Sequence, residues 1–378
     1  MDDLESRQQL ADLTVVVLTR NRPAYLIEVI KYWSRWPVTL LVLDGSDHPV
    51  EAASLYAGEA RLILHSEIST SGRFGFAASR LNTPFACLHS DDDFTLARGA
   101  AQTIRWIKDN PEISCVASDV FMFSEDRTGF LWKHGRTVMS PVPNERVAGH
   151  FADYRFSYFY GIQRSKQLSI ALSAVAAATE CPEFIEYPSF AVGYEVGIEI
   201  CGAALGQLSN WPDVLLLKRV GNETRWAWEQ ESHEWLEDPN AQAALRAWRS
   251  ILSQHLAPHL NVSEAVVDGW ITEAMQLYCR GVTAKGNEGA NLPGLVNSFS
   301  RALRPKSKKT DGPTAIASTR FVYNTQAFAF GALRGTYRAS MKILGRPRRN
   351  HYLYSGLDRA DPRDVKDVAD ILDKKYHK

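Results

Sequence analysis

Short runs of aliphatic and β-branched residues recur along the first third of the chain, and most stop at a polar turn. They are 13–18 (LTVVVL), 38–43 (VTLLVL), 61–65 (RLILH), 85–88 (FACL) and 113–117 (ISCVA). Runs that do not alternate with polar residues are typical of strands buried on both faces of a parallel sheet. Between the first two, Tyr25, Leu26, Val29, Ile30 and Trp33 fall at helical spacing, and Pro37 stops the pattern. A second helix is predicted over about 96–108, ahead of the fifth run. Strands alternating with helices predict an α/β protein with a mostly parallel central sheet and flanking helices. In such sheets ligands bind beyond the carboxyl ends of the strands. Three of those ends carry polar or charged side chains: Thr19-Arg20, Asp44, and Asp91-Asp92-Asp93. The topology predicts that they meet at one crevice.

Residues 120–190 give a mixed, aromatic-rich signal, and beyond about 235 the pattern reads as helical. Residues 301–350 carry twelve Lys and Arg against one acid, Asp311. Within them Phe330, Leu333, Tyr337, Met341 and Leu344 form an apolar stripe beside Arg334, Arg338 and Lys342. Two readings fit: a basic amphipathic helix on an anionic membrane surface, or a helix packed on the preceding domain. Residues 304–309 read as a solvated linker.

Composition narrows the function classes. Lys plus Arg and Asp plus Glu are both 43, which argues against a general nucleic-acid binder. The five cysteines have no zinc or redox spacing and read as reduced, buried thiols. The polar, acidic N-terminal residues are not a secretory signal, and no apolar run approaches the ~20 residues of a spanning helix. The expected location is the cytoplasm.

The sharpest chemical feature is HSDDDF, residues 89–94. Carboxylates at a strand end suit a hard divalent cation such as Mg2+ or Mn2+, with phosphates and water completing its shell. Such a cation would neutralise a departing diphosphate. The plainer reading is that Asp91 or Asp93 caps the helix that follows.

Residues 14–23 (TVVVLTRNRP), 42–46 (VLDGS) and 85–94 (FACLHSDDDF) together resemble the nucleotide-sugar half of a GT-A glycosyltransferase, similar to the inverting family 2. The resemblance covers roughly residues 12–225. It implies a Rossmann-like transferase domain over 12–235, with a nucleotide-sugar half (12–120) and an acceptor half (121–235). A mainly helical, basic extension would fill 236–378. It implies a UDP- or GDP-sugar donor and a glycan or lipid-linked acceptor, in surface polysaccharide assembly. Carried over by position, Thr19, Arg20 and Arg22 face the nucleotide and Asp44 meets the base or ribose. Asp91 and Asp93 hold Mn2+ or Mg2+, with Asp92 replacing either if the register shifts by one. Arg73 lies near the nucleotide or, equally, is a surface arginine. The family's Arg-Asn before the aspartate strand is replaced here by Arg80-Leu81-Asn82.

An inverting transfer needs a base for the acceptor hydroxyl. In the resemblance it falls at Glu195, within 190–206 (FAVGYEVGIEICGAALG), where the usual Glu-Asp reads Tyr194-Glu195. Glu199, four residues on, shares its helical face and would orient or replace it. Residues 214–219 (VLLLKR) match the family's return strand. Trp226 and Trp228 stack on an acceptor sugar or pack the domain edge, and His233 completes a metal shell or is structural. Two rivals use similar features: a sugar nucleotidyltransferase, which would want a glycine-rich loop after the first strand, and a non-catalytic carbohydrate-binding protein on a transferase fold.

Overall fold

The computed structural model describes residues 2–51, 58–123, 129–132, 137–154, 156–185, 193–219, 239–291 and 360–373. The basic block 301–350, the linker 304–309, the apolar stripe from Phe330 to Leu344, and Trp226, Trp228 and His233 lie outside them.

The first four expected strands form as β1 (Leu13–Thr19), β2 (Thr39–Asp44), β3 (Arg61–Ser66) and β4 (Phe85–Ser90). They lie parallel in the order β3-β2-β1-β4. A second group follows: β5 (Phe94–Thr95), β6 (Ile113–Phe123), β7 (Gly129–Trp132), β8 (Ile162–Arg164) and β9 (Gln207–Arg219). The sheet continues β4-β8-β6-β9-β5, with β7 added on β6. β6 and β9 are parallel, whereas β8 runs antiparallel between β4 and β6. The α/β class and the flanking helices match the sequence expectation, while the sheet is mixed: β1 to β4 pair in parallel, and the second group adds four antiparallel pairings.

The continuous apolar runs have a simple cause. Val15 and Val17 of β1 face one apolar cluster while Val16 faces another, and both clusters are buried. β2 divides in the same way, with Leu40 and Val42 against Leu41 and Leu43. A strand roofed on both sides has no solvent face to mark with polar residues.

One face is covered by α1 (Asp3–Leu10), α2 (Pro23–Trp33) and α4 (Ala97–Asp109). The other carries α3 (Thr70–Arg80), α5 (Pro143–Ala152), α6 (Ser165–Thr179) and α8 (Gly193–Leu205), with a 3-10 helix (Phe156–Tyr160) and a single turn, α7 (Pro182–Ile185). The small residues of 168–178 serve close packing in α6. Val175 there lies so near Gly197 of α8 that a Cβ on Gly197 would stand 2.7 Å from it.

Two long helices, α9 (Pro239–Leu260) and α10 (Glu264–Asn291), extend that second cluster rather than forming a separate one. Trp248 of α9 is fully buried against Gly197. The last described helix, α11 (Pro362–Asp373), instead joins the first face, where Val365, Val368, Ile371 and Leu372 are buried beside α2 and α4. Among the described residues no helix is long and apolar enough to cross a membrane. All five cysteines are buried and none is in a disulfide.

Candidate active site

Strand register brings the expected ends to one level. Thr19 pairs with Asp44 across β1 and β2, and Leu18 pairs with Ser90 across β1 and β4, so Thr19, Asp44 and Asp91 share one edge. His89 fixes the turn that follows. Its Nε2 accepts the Thr95 N–H at 3.0 Å, so Nδ1 carries the proton and donates to the Ser90 carbonyl at 2.6 Å. Burial pushes its pKa down to about 4, so it stays neutral while it staples β4 to β5. The three aspartates occupy the loop between those strands.

Each aspartate meets a base. Asp91 accepts the Thr19 hydroxyl at 2.7 Å and Arg22 Nη1 at 2.8 Å. The other guanidinium nitrogen of Arg22 pairs with Asp92, so one arginine forks across two carboxylates. Asp93 is fully buried. It accepts the Arg219 backbone N–H at 2.9 Å and Lys218 Nζ at 3.1 Å. Lys218 Nζ also donates to the Tyr160 hydroxyl at 3.3 Å and lies 4.5 Å from the centre of that ring. The Arg219 side chain turns to Glu28 at 2.7 Å. Burial and the neighbouring Asp92 push Asp91 up to about 7, against the pull of Arg22. Burial pushes Asp93 up to about 6, against the pull of Lys218. Burial alone would lower Lys218, but Asp93 and Tyr160 more than offset it and its pKa is raised.

The β1 and β2 exits are clasped together. Asn21 sits at φ 55°, a left-handed conformation that asparagine tolerates. It donates its N–H to Ser46 Oγ at 2.7 Å and exchanges two hydrogen bonds with Asp47 at 3.0 Å. Asp44 accepts the N–H groups of Ser46 (2.9 Å) and Val50 (3.2 Å), so its carboxylate shapes this loop. Arg73 is buried, not on the surface. It donates to the Thr19 carbonyl at 3.0 Å and to Thr70 Oγ1 at 2.9 Å, bracing the end of β1. Gly45 leaves room for it, because a Cβ there would lie 2.7 Å from the guanidinium and displace it. Burial, then the charge of Arg20, lowers the Arg73 pKa. Arg20 itself is exposed at the rim.

Glu195 lies in the first turn of α8 and is half-buried. Burial pushes its pKa up to about 7, Lys218 draws it down and Glu199 raises it again. A carboxylate poised there suits general-base work near neutral pH. Glu199 has a different setting from the one expected. Its Oε2 is 2.5 Å from His150 Nε2 and its Oε1 accepts the Phe159 N–H at 2.9 Å. Both oxygens are engaged in tying α8 to α5 and the 3-10 helix. Burial raises its pKa and His150 opposes that.

The aspartates have oxygen ligands of the right chemistry for Mn2+ or Mg2+, but their arrangement does not fit a metal pair. Asp91 turns to Thr19 and Arg22, and Asp93 turns to Lys218 and the Arg219 N–H. Among the described residues no three His, Cys, Asp or Glu side chains are gathered to hold a metal ion. Sequence reasoning passed over Lys218 and Tyr160. Lys218 carried a usable signal, since it follows an apolar run at a strand end as Asp44 does. Tyr160 carried none, because an isolated aromatic in a mixed region does not say where it points.

No family model matches the chain, and no curated protein matches it. Solved structures that resemble it include S. aureus TarS 1-349 in complex with UDP-GlcNAc. It is 11% identical, with a TM-score of 0.41, over 73% of this chain and 92% of that one. Another is the mannosyltransferase PcManGT from Pyrobaculum calidifontis in complex with GDP-Man and Mn2+. It is 14% identical, with a TM-score of 0.36, over 75% of this chain and 80% of that one. Likeness at this level carries no conclusion about the chemistry of this chain.

Proposed function

We propose that this chain is a nucleotide-sugar-dependent glycosyltransferase that moves a sugar, with inversion, to a hydroxyl of a glycan or lipid-linked acceptor. One observation carries the reading. The strand register brings Thr19, Asp44 and Asp91 to one edge of the sheet, and the aspartates there are met by Arg22 and Lys218. Glu195, in the first turn of α8, supplies a carboxylate that burial pushes up to about 7 and that the charge of Lys218 draws down. Thr19, Arg20, Arg22 and Asp44 line the β1 and β2 side, where the resemblance puts the nucleotide. In the reaction Glu195 takes the acceptor proton as the acceptor oxygen attacks the anomeric carbon. The bond from that carbon to the diphosphate breaks, and its electron pair leaves on the phosphate oxygen. One displacement gives inversion.

The test begins with calorimetric titration of UDP and GDP, followed by turnover of the matching sugar nucleotides against oligosaccharide and lipid-linked acceptors. Glu195→Gln is expected to keep donor binding and to lose transfer by at least about a hundredfold, the usual scale of a general base. Absence of nucleotide binding, or full transfer by the Gln variant, would sink this reading.

A further inference from the structure

The carboxylates at the strand ends lie behind their basic partners. The Asp93 side chain is 0% exposed while that of Lys218 is 22% exposed. For Asp91 and Arg22 the values are 2% and 15%. The acids are therefore the more buried members of these pairs, and the basic side chains keep some exposure, with exposed Arg20 on the same turn as Arg22. Both cations are braced by aromatic rings. Lys218 Nζ lies 4.5 Å from the Tyr160 ring centre, and the Arg22 guanidinium lies 4.7 Å from that of Tyr25. Arg22 Nε is buried and has no hydrogen-bond partner among the described residues. An orphaned donor of this kind is costly unless something answers it. For a divalent cation to be held by Asp91 and Asp93, Arg22 and Lys218 would first have to leave them, stripping two buried carboxylates of their partners.

We propose that the donor's nucleoside diphosphate is held by Lys218 and Arg22, and that these fixed cations, not a divalent metal ion, take up the charge of the leaving group. The inference rests on the transferase reading above. When the anomeric carbon–oxygen bond breaks, the electron pair passes to the terminal phosphate oxygen, and the Lys218 ammonium, whose charge also acts on Glu195, takes up that charge. Asp93 and Asp91 act through these bases, holding them in place from behind. Charge-assisted hydrogen bonds of ammonium and guanidinium to phosphate are strong enough for this task.

The test is calorimetric titration of UDP, GDP, UMP and GMP into the full chain, once in EDTA and once in Mn2+. The wild type is expected to bind the diphosphates with equal affinity in both buffers. Lys218→Met is expected to weaken UDP or GDP by at least about tenfold, the scale of one hydrogen bond to a charged group, while UMP or GMP changes far less. Lys218→Arg, which keeps the charge, is expected to restore the difference. Lys218→Gln, nearly the same length and polar, serves if the Met variant does not fold. Diphosphate binding that appears only with Mn2+ overturns the inference and leaves the transferase reading standing. Equal loss of mono- and diphosphates in the Lys218 variants, or no loss, also overturns it. A wild type that binds no nucleotide in either buffer overturns the transferase reading itself and the inference with it.

Discussion

His89 and the aspartates after it make the loop between β4 and β5 sensitive to pH. Burial raises Asp91 and Glu195 to about 7 and Asp93 to about 6, all above their unfolded values of 3.8 to 4.5. The folded state therefore binds more protons than the unfolded state between about pH 4 and 7, and stability falls as pH rises through that window. His89 works the other way, because its folded value of about 4 lies below 6.5, so its contribution grows as pH rises to 6.5. Three raised carboxylates outweigh one lowered imidazole. The melting temperature of the ligand-free protein is expected to drop between pH 5 and 7.5, and Asp91→Asn, which cannot ionise, is expected to make the drop shallower in calorimetric scans. At this scale the sequence shows which residues stand at the strand ends but not what they bind. That Arg22 forks across Asp91 and Asp92, or that Asp44 shapes its own loop, depends on side-chain directions set by neighbours far along the chain.

Helix α4 starts just after β5, and its N-cap residue, Leu96, offers no side-chain hydrogen bond. The cap comes from α11. Asp364 is fully buried and accepts the N–H groups of Arg98 at 2.9 Å and Gly99 at 3.2 Å, plus Arg98 Nη1 at 2.9 Å. Arg98 is also held by Asp367 and Asp3, each at 2.9 Å. Asp364→Ala leaves a buried guanidinium short of one of its three carboxylate partners and an uncapped helix, so a loss of about 3 kcal/mol is expected in a denaturant melt. Elements built from long apolar runs, such as β1, β2 and β4, were legible because two-sided burial writes itself into composition. The three-residue β8 and the two-residue β5 were not, because hydrogen bonds to β4, β6 and β9 define them rather than any local pattern. The cap on α4 was equally hidden, since a lone Asp 266 positions away carries no local mark.

On the scale of the whole molecule, α9 and α10 complete the core that α6 and α8 begin, and α11 completes the opposite one. The boundary near residue 235 expected from the sequence therefore separates segments that bury each other's apolar faces. Trp248, Leu252 and Leu256 of α9 are fully buried in that shared cluster. A chain ending at residue 235 is expected to expose that surface and fail to give a cooperative thermal transition by circular dichroism. A chain of residues 1–235 that melts cooperatively on its own would refute this.

The trans cap on α4 also sets an order in time. At about 5–20 residues per second, translation needs roughly 13 to 53 s to travel the 266 positions from Arg98 to Asp364. Until then the helix behind the aspartate loop has no Asp364 beneath it. The cap on α4 is complete only once Asp364 has been made, so a chain stopped short of residue 360 is released with most of its sheet but without that cap.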